Sequence, residues 1–534
     1  EGTALSVNNG ATAGDVTVFT RDVLGGGAGI VIDNQGAFAE TLLTVEGAVI
    51  AEQGDGVNVS NGAQGQNLFI DVDTVLAGDN AIVASHAGSG AVDVNATGAV
   101  IGTGGDGIRV SAGTLSTGVR VATAAVSGGQ NGISVDNAGA GDTLITASDV
   151  VIGEQQDGIR VDNGQNAGDL NINVGAVQGG DNGIFVSHSG AGVVDLSATG
   201  TVIGEAVDGI GVNATGQSTG VSVNASSASG AMNGVEVGNF GAGDTVVTLT
   251  GLVVGETTNG LQVNHGTNAG NLLIDVAAAI GDQHGISAIN QASSETSIVV
   301  HDLAQGSMAG VAVSALFGGD IHIENQGSIV GDAMASTSRA LRASTADAIT
   351  VNNAGVLVGT VEFHGGGALL FNTGAWVNSG ESLFDGGDGS AVPAFLASAH
   401  EDARKERPPD VHRVPCRRGA VRRQRHQRDE AGIGTLRQAD GIAELHRHRE
   451  AIGLVALGLN KDGREPVLHV RRDAGERPMR EFDDMIPAML VFDRRVAGDA
   501  QIRTKRAEAF LGGATNEASH VARVAATRQG CDRL

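Results

Sequence analysis

The 534-residue chain has few of the residues that build catalytic pockets or cross-link small folds. It contains no Tyr, one Trp and only two Cys, Cys416 and Cys531. Both Cys lie after residue 400, which excludes a disulfide framework for the part of the chain before them. This composition fits a chain that is exported without disulfides.

Proline and positive charge are also missing from most of the chain. The first Pro is Pro393, and residues 1–400 contain no Lys and six Arg against 39 Asp and Glu, a formal charge of −33. So negative a segment argues against binding to nucleic acid or an anionic membrane and favours solubility. The acidic surface is interpreted as simple solvation, with a calcium-sensitive surface as the alternative.

Long apolar runs are absent as well, so the sequence predicts no membrane-spanning helix. The chain has no initiator Met and no signal peptide. We expect that such segments were removed or that the chain is a fragment.

What the sequence does contain is a repeated phrase with a period of 51 residues. Val100-Ile101-Gly102 precedes Asp106-Gly107-Ile108, and copies of this phrase begin at Val151, Val202 and Val253, with a degraded copy at Val49. The same period, without insertion, connects Asp55, Asp106, Asp157, Asp208 and Asn259. Such regularity predicts a stacked solenoid rather than a globular enzyme.

Each repeat is itself double, because a sister phrase lies halfway along it. This phrase is Asn131-Gly132-Ile133 and recurs at Asn182, Asn233 and His284, so one unit has about 25 residues. Within units, Ile and Val alternate with polar residues between Gly, Asn, Asp and Ser, which indicates two or three short strands. The predicted fold is all-β: a right-handed parallel β-helix with a double repeat.

The composition predicts two domains. Residues 1–392 form the β-helix, with regular repeats over about 25–290 and degenerate coils over 291–392. Residues 393–534 form a basic, Arg-rich tail that we expect to be irregular, disordered or partly helical, with 444–459 as its best helix candidate. The favoured hypothesis is that this tail is read out of frame from a GC-rich gene; the alternative is a genuine basic arm, which could bind nucleic acid.

The recurring Asp and Asn are predicted to be structural. Their spacing, one per unit, differs from the nine-residue pattern of calcium-binding solenoids. Asp106, Asn131, Asp157 and Asn182 alternate, so each Asn is expected to bond along the stack between two carboxylates. We therefore interpret these positions as a turn and a ladder column.

The histidines are interpreted in the same way. One repeat position is shared by His86, Asn137, His188, Asn239 and Asn290, and it is predicted to be a surface turn; His284 takes the Asn place of the sister phrase. Four further histidines are expected to have no periodic partner and no metal-ligand spacing: His265, His301, His322 and His364.

A catalytic site is not predicted. Carbohydrate-active β-helices carry long loops and sugar-binding Tyr, Trp, Arg or Lys, whereas residues 49–290 have no insertion. Asp71 and Asp73 share a strand face without convergent partners, and Gly25–Gly29 lacks the Lys and helix of a phosphate loop. We predict no catalytic, cofactor-binding or metal-binding residues.

The later coils carry a family resemblance. Ile321–Gly331 and Ile349–Gly359 are degenerate Asn-x-Gly-x-Ile/Leu-x-Gly coils, and Phe371-Asn372-Thr373-Gly374-Ala375-Trp376 follows them. Over residues 1–392 this pattern resembles the passenger domains of bacterial autotransporters, which use type V secretion. The resemblance implies a rod on the surface of a Gram-negative cell, or released from it, exported through an outer-membrane β-barrel of the same polypeptide.

Such rods act in adhesion, aggregation or surface display, so the expected partners are host or neighbouring-cell surface components or a second copy of the rod. Residues 400–534 lack Tyr and end in Arg533-Leu534, unlike the family's barrel. Contact with the outer membrane is therefore expected only through a barrel that this chain lacks. Two alternatives remain: a polysaccharide lyase or hydrolase, and a rod of another export system or a phage fibre.

Overall fold

The computed structural model describes residues 2–332, 338–378 and 380–385, which belong to the first of two compact units, Glu1–Glu401. All regular secondary structure in the described residues is β-strand. The predictions for the tail, including the helix at 444–459 and the boundary at 392, lie outside the described residues.

One face of the stack is a sheet of sixteen short parallel strands in chain order, each hydrogen-bonded to the strand of the next coil. We call it the first face. Its strands are Leu5–Asn9, Ile30–Asn34, Val57–Asn61, Ile82–His86, Ile108–Ala112, Ile133–Asn137, Ile159–Asn163, Ile184–His188, Ile210–Ala214, Val235–Asn239, Asn259–His265, His284–Asn290, Ala309–Ala315, Arg339–Thr345, Thr360–Gly365 and Leu383–Asp385.

The rest of each coil forms a second sheet, in which the chain bends once. In some coils a single strand runs through the bend, as at the register shift between Thr123 and Ala125; in others two strands flank it. Its strands are Val16–Thr20, Val23–Gly25, Thr41–Ala51, Leu68–Ala77, Ala91–Gly102, Gly118–Gly128, Asp142–Ala147, Val151–Gly153, Leu170–Val174, Val177–Gly179, Val193–Gly204, Gly220–Gly230, Thr245–Gly255, Leu272–Gly281, Thr296–Gln305, Ile321–Asn325, Ser328–Val330, Ile349–Asn353, Val356–Val358, Ala368–Asn372 and Ala375–Val377.

The pairings confirm the predicted parallel β-helix. Ile108 pairs with Ile133 and Ile133 pairs with Ile159, so each coil corresponds to one unit of the sequence repeat. Fifteen steps between sixteen strands, at about 4.8 Å each, give a stack about 70 Å long. The step becomes irregular after Ala315, which pairs with Thr345, while Thr345 pairs with Gly365. The right-handed sense of the coil stays a prediction.

The core consists of stacked columns of Ile and Val. In the nine five-residue first-face strands from Ile30–Asn34 to Val235–Asn239, the first and third residues are buried, so Ile108 lies beside Ile133 and Val110 beside Val135. All four are buried, with at most 1% of each residue exposed. Each such burial contributes about 1.5–3 kcal/mol relative to an exposed side chain. The hydrophobic energy is therefore spread evenly along the stack.

The Gly of the Asp-Gly-Ile and Asn-Gly-Ile phrases is required by the close approach of adjacent coils. A Cβ added at Gly183 would lie 2.5 Å from both the Gly209 carbonyl oxygen and Val202 Cγ1. Gly183 has no positive φ, so its role does not depend on a left-handed conformation. The repeated phrase therefore records a packing constraint between coils in addition to a turn.

Candidate functional site

A ladder of Asp and Asn side chains lies in the turn that precedes each first-face strand. Asn131 Nδ2 donates to Asp106 Oδ1 at 2.9 Å, and the backbone N–H of Asp157 donates to Asn131 Oδ1 at 3.1 Å. Asn182 repeats this arrangement, since its Nδ2 donates to Asp157 Oδ1 at 2.8 Å and its Oδ1 accepts the Asp208 N–H at 3.2 Å. The predicted ladder column is confirmed.

The ladder is buried and extends to the coil of His284. Asp106 and Asp157 are each 4% exposed, yet every Asp is followed by an amide that supplies donors to its carboxylate. At the far end His284 Nδ1 contacts Asn259 Oδ1 at 2.9 Å, which confirms that His284 takes an Asn place. Because buried carboxylates need such donors, these residues serve the stack rather than a ligand.

A second column, with polar residues in most of its regular coils, lies inside the coil at the last position of the first-face strands. The sequence interpretation of this position as a surface turn was wrong. His86 is 2% exposed and Asn137, His188, Asn239 and Asn290 are each 0% exposed. We call this set, with its paired neighbours, the interior column.

The Asn side chains of the interior column are buried because the following loop satisfies them. Asn137 Nδ2 donates to the Gly141 carbonyl at 3.1 Å and to Thr143 Oγ1 at 3.0 Å, and its Oδ1 accepts the Gly139 N–H at 3.0 Å. Every polar atom of the amide is thereby used, so its burial leaves no unpaired group. A polar residue before a Gly-rich loop can therefore indicate an inward amide.

His265 also belongs to the interior column, although we expected it to lack a periodic partner. It pairs with Asn239 on one side and Asn290 on the other and is 1% exposed. Its distance along the chain from each neighbour is one unit of the repeat, a sequence signal that could have placed it. Four consecutive coils of the column have Asn61, His86, Ala112 and Asn137, and the next four have Asn163, His188, Ala214 and Asn239. The residue types of the column therefore repeat every four coils, which is twice the 51-residue period.

Burial lowers the pKa of His86, His188 and His265. At His188 and His265 the nearby loop backbone, at Gly192 and Gly270 respectively, partly opposes this effect. The three imidazoles are therefore held neutral at neutral pH.

Two carboxylates meet on the first face, at Asp208 and Glu236 of adjacent coils. The Asn233 amide lies between them, because its Nδ2 donates to Asp208 Oδ1 at 3.1 Å and to Glu236 Oε2 at 3.1 Å. Burial raises the pKa of both groups, and the charge of Asp208 raises that of Glu236 further. In the equivalent turn Arg160 lies 3.5 Å from Asp157, but Gly211 takes the place of that Arg beside Asp208. The pair therefore lacks its local cation.

A shallow groove of about 440 Å³ crosses five coils at the bend of the second sheet. Its lining residues are all uncharged, and most are small. The side chains that offer hydrogen bonds there include Asn95, Thr97, Thr146, Ser148, Asn173 and Thr199. Such a lining provides neutral polar contacts without an acid, a base or a nucleophile activated by a base.

Asp71 and Asp73 point outward and serve the next coil, where Asn95 Nδ2 donates to Asp71 at 2.7 Å and Thr97 Oγ1 to Asp73 at 3.0 Å. Gly25–Gly29 joins two strands and does not lead into a helix. These positions thus have local structural partners.

The remaining predicted histidines are on the outer surface of later coils. His301 Nε2 lies 2.6 Å from Asp275 Oδ1; burial slightly opposes protonation, but Asp275 and Gln326 raise the pKa of His301. His364 lies 3.7 Å from Glu362, and His322 pairs in register with Ser297. The structure does not bring these three histidines together.

Metal-ligand clusters and membrane-spanning helices are both absent from the described residues. Over 2–332, 338–378 and 380–385, no group of three or more His, Cys, Asp or Glu is placed to hold a metal ion. In the same part of the chain, no helix is long and apolar enough to cross a bilayer.

The fold and these columns define the chain as a parallel β-solenoid whose coils follow the sequence repeat. No family model, curated protein or solved structure matches it.

Proposed function

We propose that this chain is a non-catalytic rod, exported to the surface of a Gram-negative cell or released from it, that acts in adhesion, aggregation or display. The observation that carries the proposal is the continuity of the stack. From Ile30–Asn34 to Ala309–Ala315, every first-face strand pairs with the next over at least five positions. Such a stack holds its outer surface at a fixed spacing over many coils.

The chemistry of the described residues supports the same proposal. The recurring Asp, Asn and buried His side chains hydrogen-bond within the stack, so they hold coils together instead of converging on a cleft. Three large apolar residues are exposed in the first coils, Phe19 at 71%, Leu24 at 67% and Phe38 at 75%. These exposed apolar side chains are the groups that we propose for contact with another surface or a second copy of the rod.

We propose the export route of an autotransporter passenger, because the coils that precede Trp376 resemble that family. This export route is proposed for the whole gene product. The functional test compares cells that carry the intact gene, cells with the gene deleted and cells with the gene restored, for settling in culture and attachment to host cells. We expect deletion to reduce at least one of these and restoration to recover it; unchanged behaviour in all assays would count against adhesion and aggregation.

The second candidate is a polysaccharide lyase or hydrolase, and the Asp208–Glu236 pair is the observation that favours it. Glycosidases act through two carboxyl groups whose pKa values are shifted, and burial raises the pKa of both Asp208 and Glu236. Incubation with a panel of plant and bacterial polysaccharides, followed by reducing-end and unsaturated-product assays, tests this candidate. Activity that is lost in Glu236→Gln would establish it over the rod.

A further inference from the structure

The interior column contains imidazoles in three coils and amides in seven of the sixteen. His86 and His188 lie four coils apart, and in each case the next coil places an Ala beside the ring, Ala112 and Ala214. The loops that follow read Ala-Gly-Ser-Gly and Ser-Gly-Ala-Gly, so the two sites have the same design. The neighbouring methyl group offers no acceptor to a second ring N–H.

The hydrogen bonds of His86 require an unprotonated nitrogen. The Gly90 backbone N–H donates to His86 Nε2 at 3.1 Å, and Nδ1 lies 3.3 Å from the Asn61 side-chain amide. A proton added at Nε2 would face the Gly90 N–H and leave that donor without an acceptor. An unpaired buried donor costs about 1–3 kcal/mol, and a buried charge adds to this cost.

His188 also lacks a hydrogen-bond acceptor at Nε2, but its surroundings favour a charge more than those of His86 do. Its Nδ1 lies 3.4 Å from the Asn163 amide, and Nε2 is buried without a hydrogen-bond partner. The charged group that faces this ring is Asp169, which favours the protonated form. The equivalent residue near His86 is Asn67, so His86 has no such compensation.

His265 differs from both. Its Nε2 lies 2.7 Å from the Gly270 carbonyl, which can accept a proton-bearing nitrogen, and Nδ1 lies 2.9 Å from Thr245 Oγ1, which can rotate to accept as well. Asp244 faces this ring and also favours its charge. Protonation of His265 therefore disturbs fewer contacts.

We propose that His86 and His188 form an acid-sensitive device in the solenoid: mild acidification opens the loops 87–90 and 189–192 while coils with Asn at the same position stay closed. The sign follows from burial. A histidine whose pKa is lower in the closed coil stabilises that coil above the ordinary value of 6.5, and this stabilisation is lost as the pH falls from 6.5 toward the lowered value.

The order of opening also follows from the contacts. The loop after His86 opens most readily because no carboxylate compensates the charge, the loop after His188 comes second, and the loop after His265 resists longest. The consequence for a rod outside the cell is that acidic surroundings expose two loops at fixed positions, about four coils or about 20 Å apart.

Hydrogen exchange measured by mass spectrometry on the full chain tests this inference. Protection is compared at pH 7.5 and 5.5 after correction for the intrinsic pH dependence of exchange. We expect a several-fold loss of protection in peptides covering 86–91 and 188–193, larger in the first. Peptides covering 137–142 and 239–244 are internal controls, because Asn137 and Asn239 occupy the same column.

The variants His86→Asn and His188→Asn should each abolish the acid response of their own loop only, and His301→Asn, at an exposed site, should change neither. Equal loss of protection in the histidine and asparagine loops, or no loss at pH 5.5, would overturn the proposal. Because the asparagine loops serve as controls within the wild-type chain, the result remains decisive even if a variant does not fold.

Discussion

The side-chain amide of Asn182 joins two coils by donating to Asp157 Oδ1 at 2.8 Å, while its oxygen accepts the backbone N–H of Asp208 at 3.2 Å. One amide thereby satisfies a buried carboxylate below it and a backbone donor above it. The ladder places a neutral residue between every two negative charges, which explains how a strongly acidic chain stacks with carboxylates in its turns.

Removal of the Asn182 amide should loosen the stack locally. Asn182→Ala removes the side-chain donor to the buried Asp157 carboxylate, which keeps the Asn182 backbone N–H, and leaves the Asp208 N–H without its acceptor, so we expect a loss of about 1–3 kcal/mol. Hydrogen exchange of the strands that begin at Ile159 and Ile210 and resistance to proteinase K measure it. Asn182→His is the matched control, because His284 occupies the same ladder place; if Asn182→Ala exchanges as slowly as wild type, the ladder does not stabilise the coils.

Glycine in the repeated phrase should be intolerant of a methyl group only where coils approach closely. Gly183→Ala would place Cβ 2.5 Å from the Gly209 oxygen, and overpacking of this kind costs about 1–3 kcal/mol. Gly211→Ala is the control, since the atom nearest to an added Cβ there is 3.5 Å away, an ordinary van der Waals distance, so we expect no overpacking. Urea unfolding compares the two; equal stability of both variants would contradict the packing argument.

The carboxylate pair should make stability depend on pH in the opposite direction from the histidines. Burial and Asp208 raise the pKa of Glu236 above 4.5, so its destabilising effect is present at neutral pH and disappears as the pH falls through the raised value. Glu236→Gln should therefore be more stable than wild type at pH 7, with the difference shrinking toward pH 4. Urea midpoints at both pH values test this, and a less stable variant at pH 7 would exclude the repulsion.

Backbone strain at Phe38 should be removable. Phe38 has a φ of 60°, a left-handed conformation that costs a non-glycine residue about 1–2 kcal/mol. Asn tolerates this region better, so Phe38→Asn should raise stability by about 1 kcal/mol. Phe19→Asn controls for the loss of an exposed aromatic ring in an ordinary strand; the strain argument fails if both variants gain equally.

The fold was predictable because one structural rule is repeated many times in the sequence. The spacing of the repeat predicts the length of the coil, the inward Ile and Val and the Asp-Asn ladder. The register of Ile108 with Ile133 confirms the length of the coil, and the bond from Asn131 to Asp106 confirms the ladder. The interior column was missed because Asn and His were assigned to the surface by polarity. Their burial depends on hydrogen bonds to the loop, such as Asn137 to Gly141, which spacing alone does not reveal.

The Asp208–Glu236 pair could not be predicted from the sequence either, for a different reason. The two residues belong to different phrases, and neither breaks the repeat. They meet only because the strand that begins at Val235 pairs with the strand that begins at Ile210 in a register that sets Glu236 beside Gly211. A one-residue shift of register would turn Glu236 to the opposite face.

Labelling of intact cells tests the proposed location of this solenoid outside the cell. Antibodies against residues 2–385 are applied to intact and to permeabilised cells that carry the gene, before and after treatment of intact cells with proteinase K. The account predicts equal labelling of both preparations, or antigen in the medium, and loss of the cell-bound label after protease. Labelling that requires permeabilisation, resists external protease and leaves the medium free of antigen would contradict it.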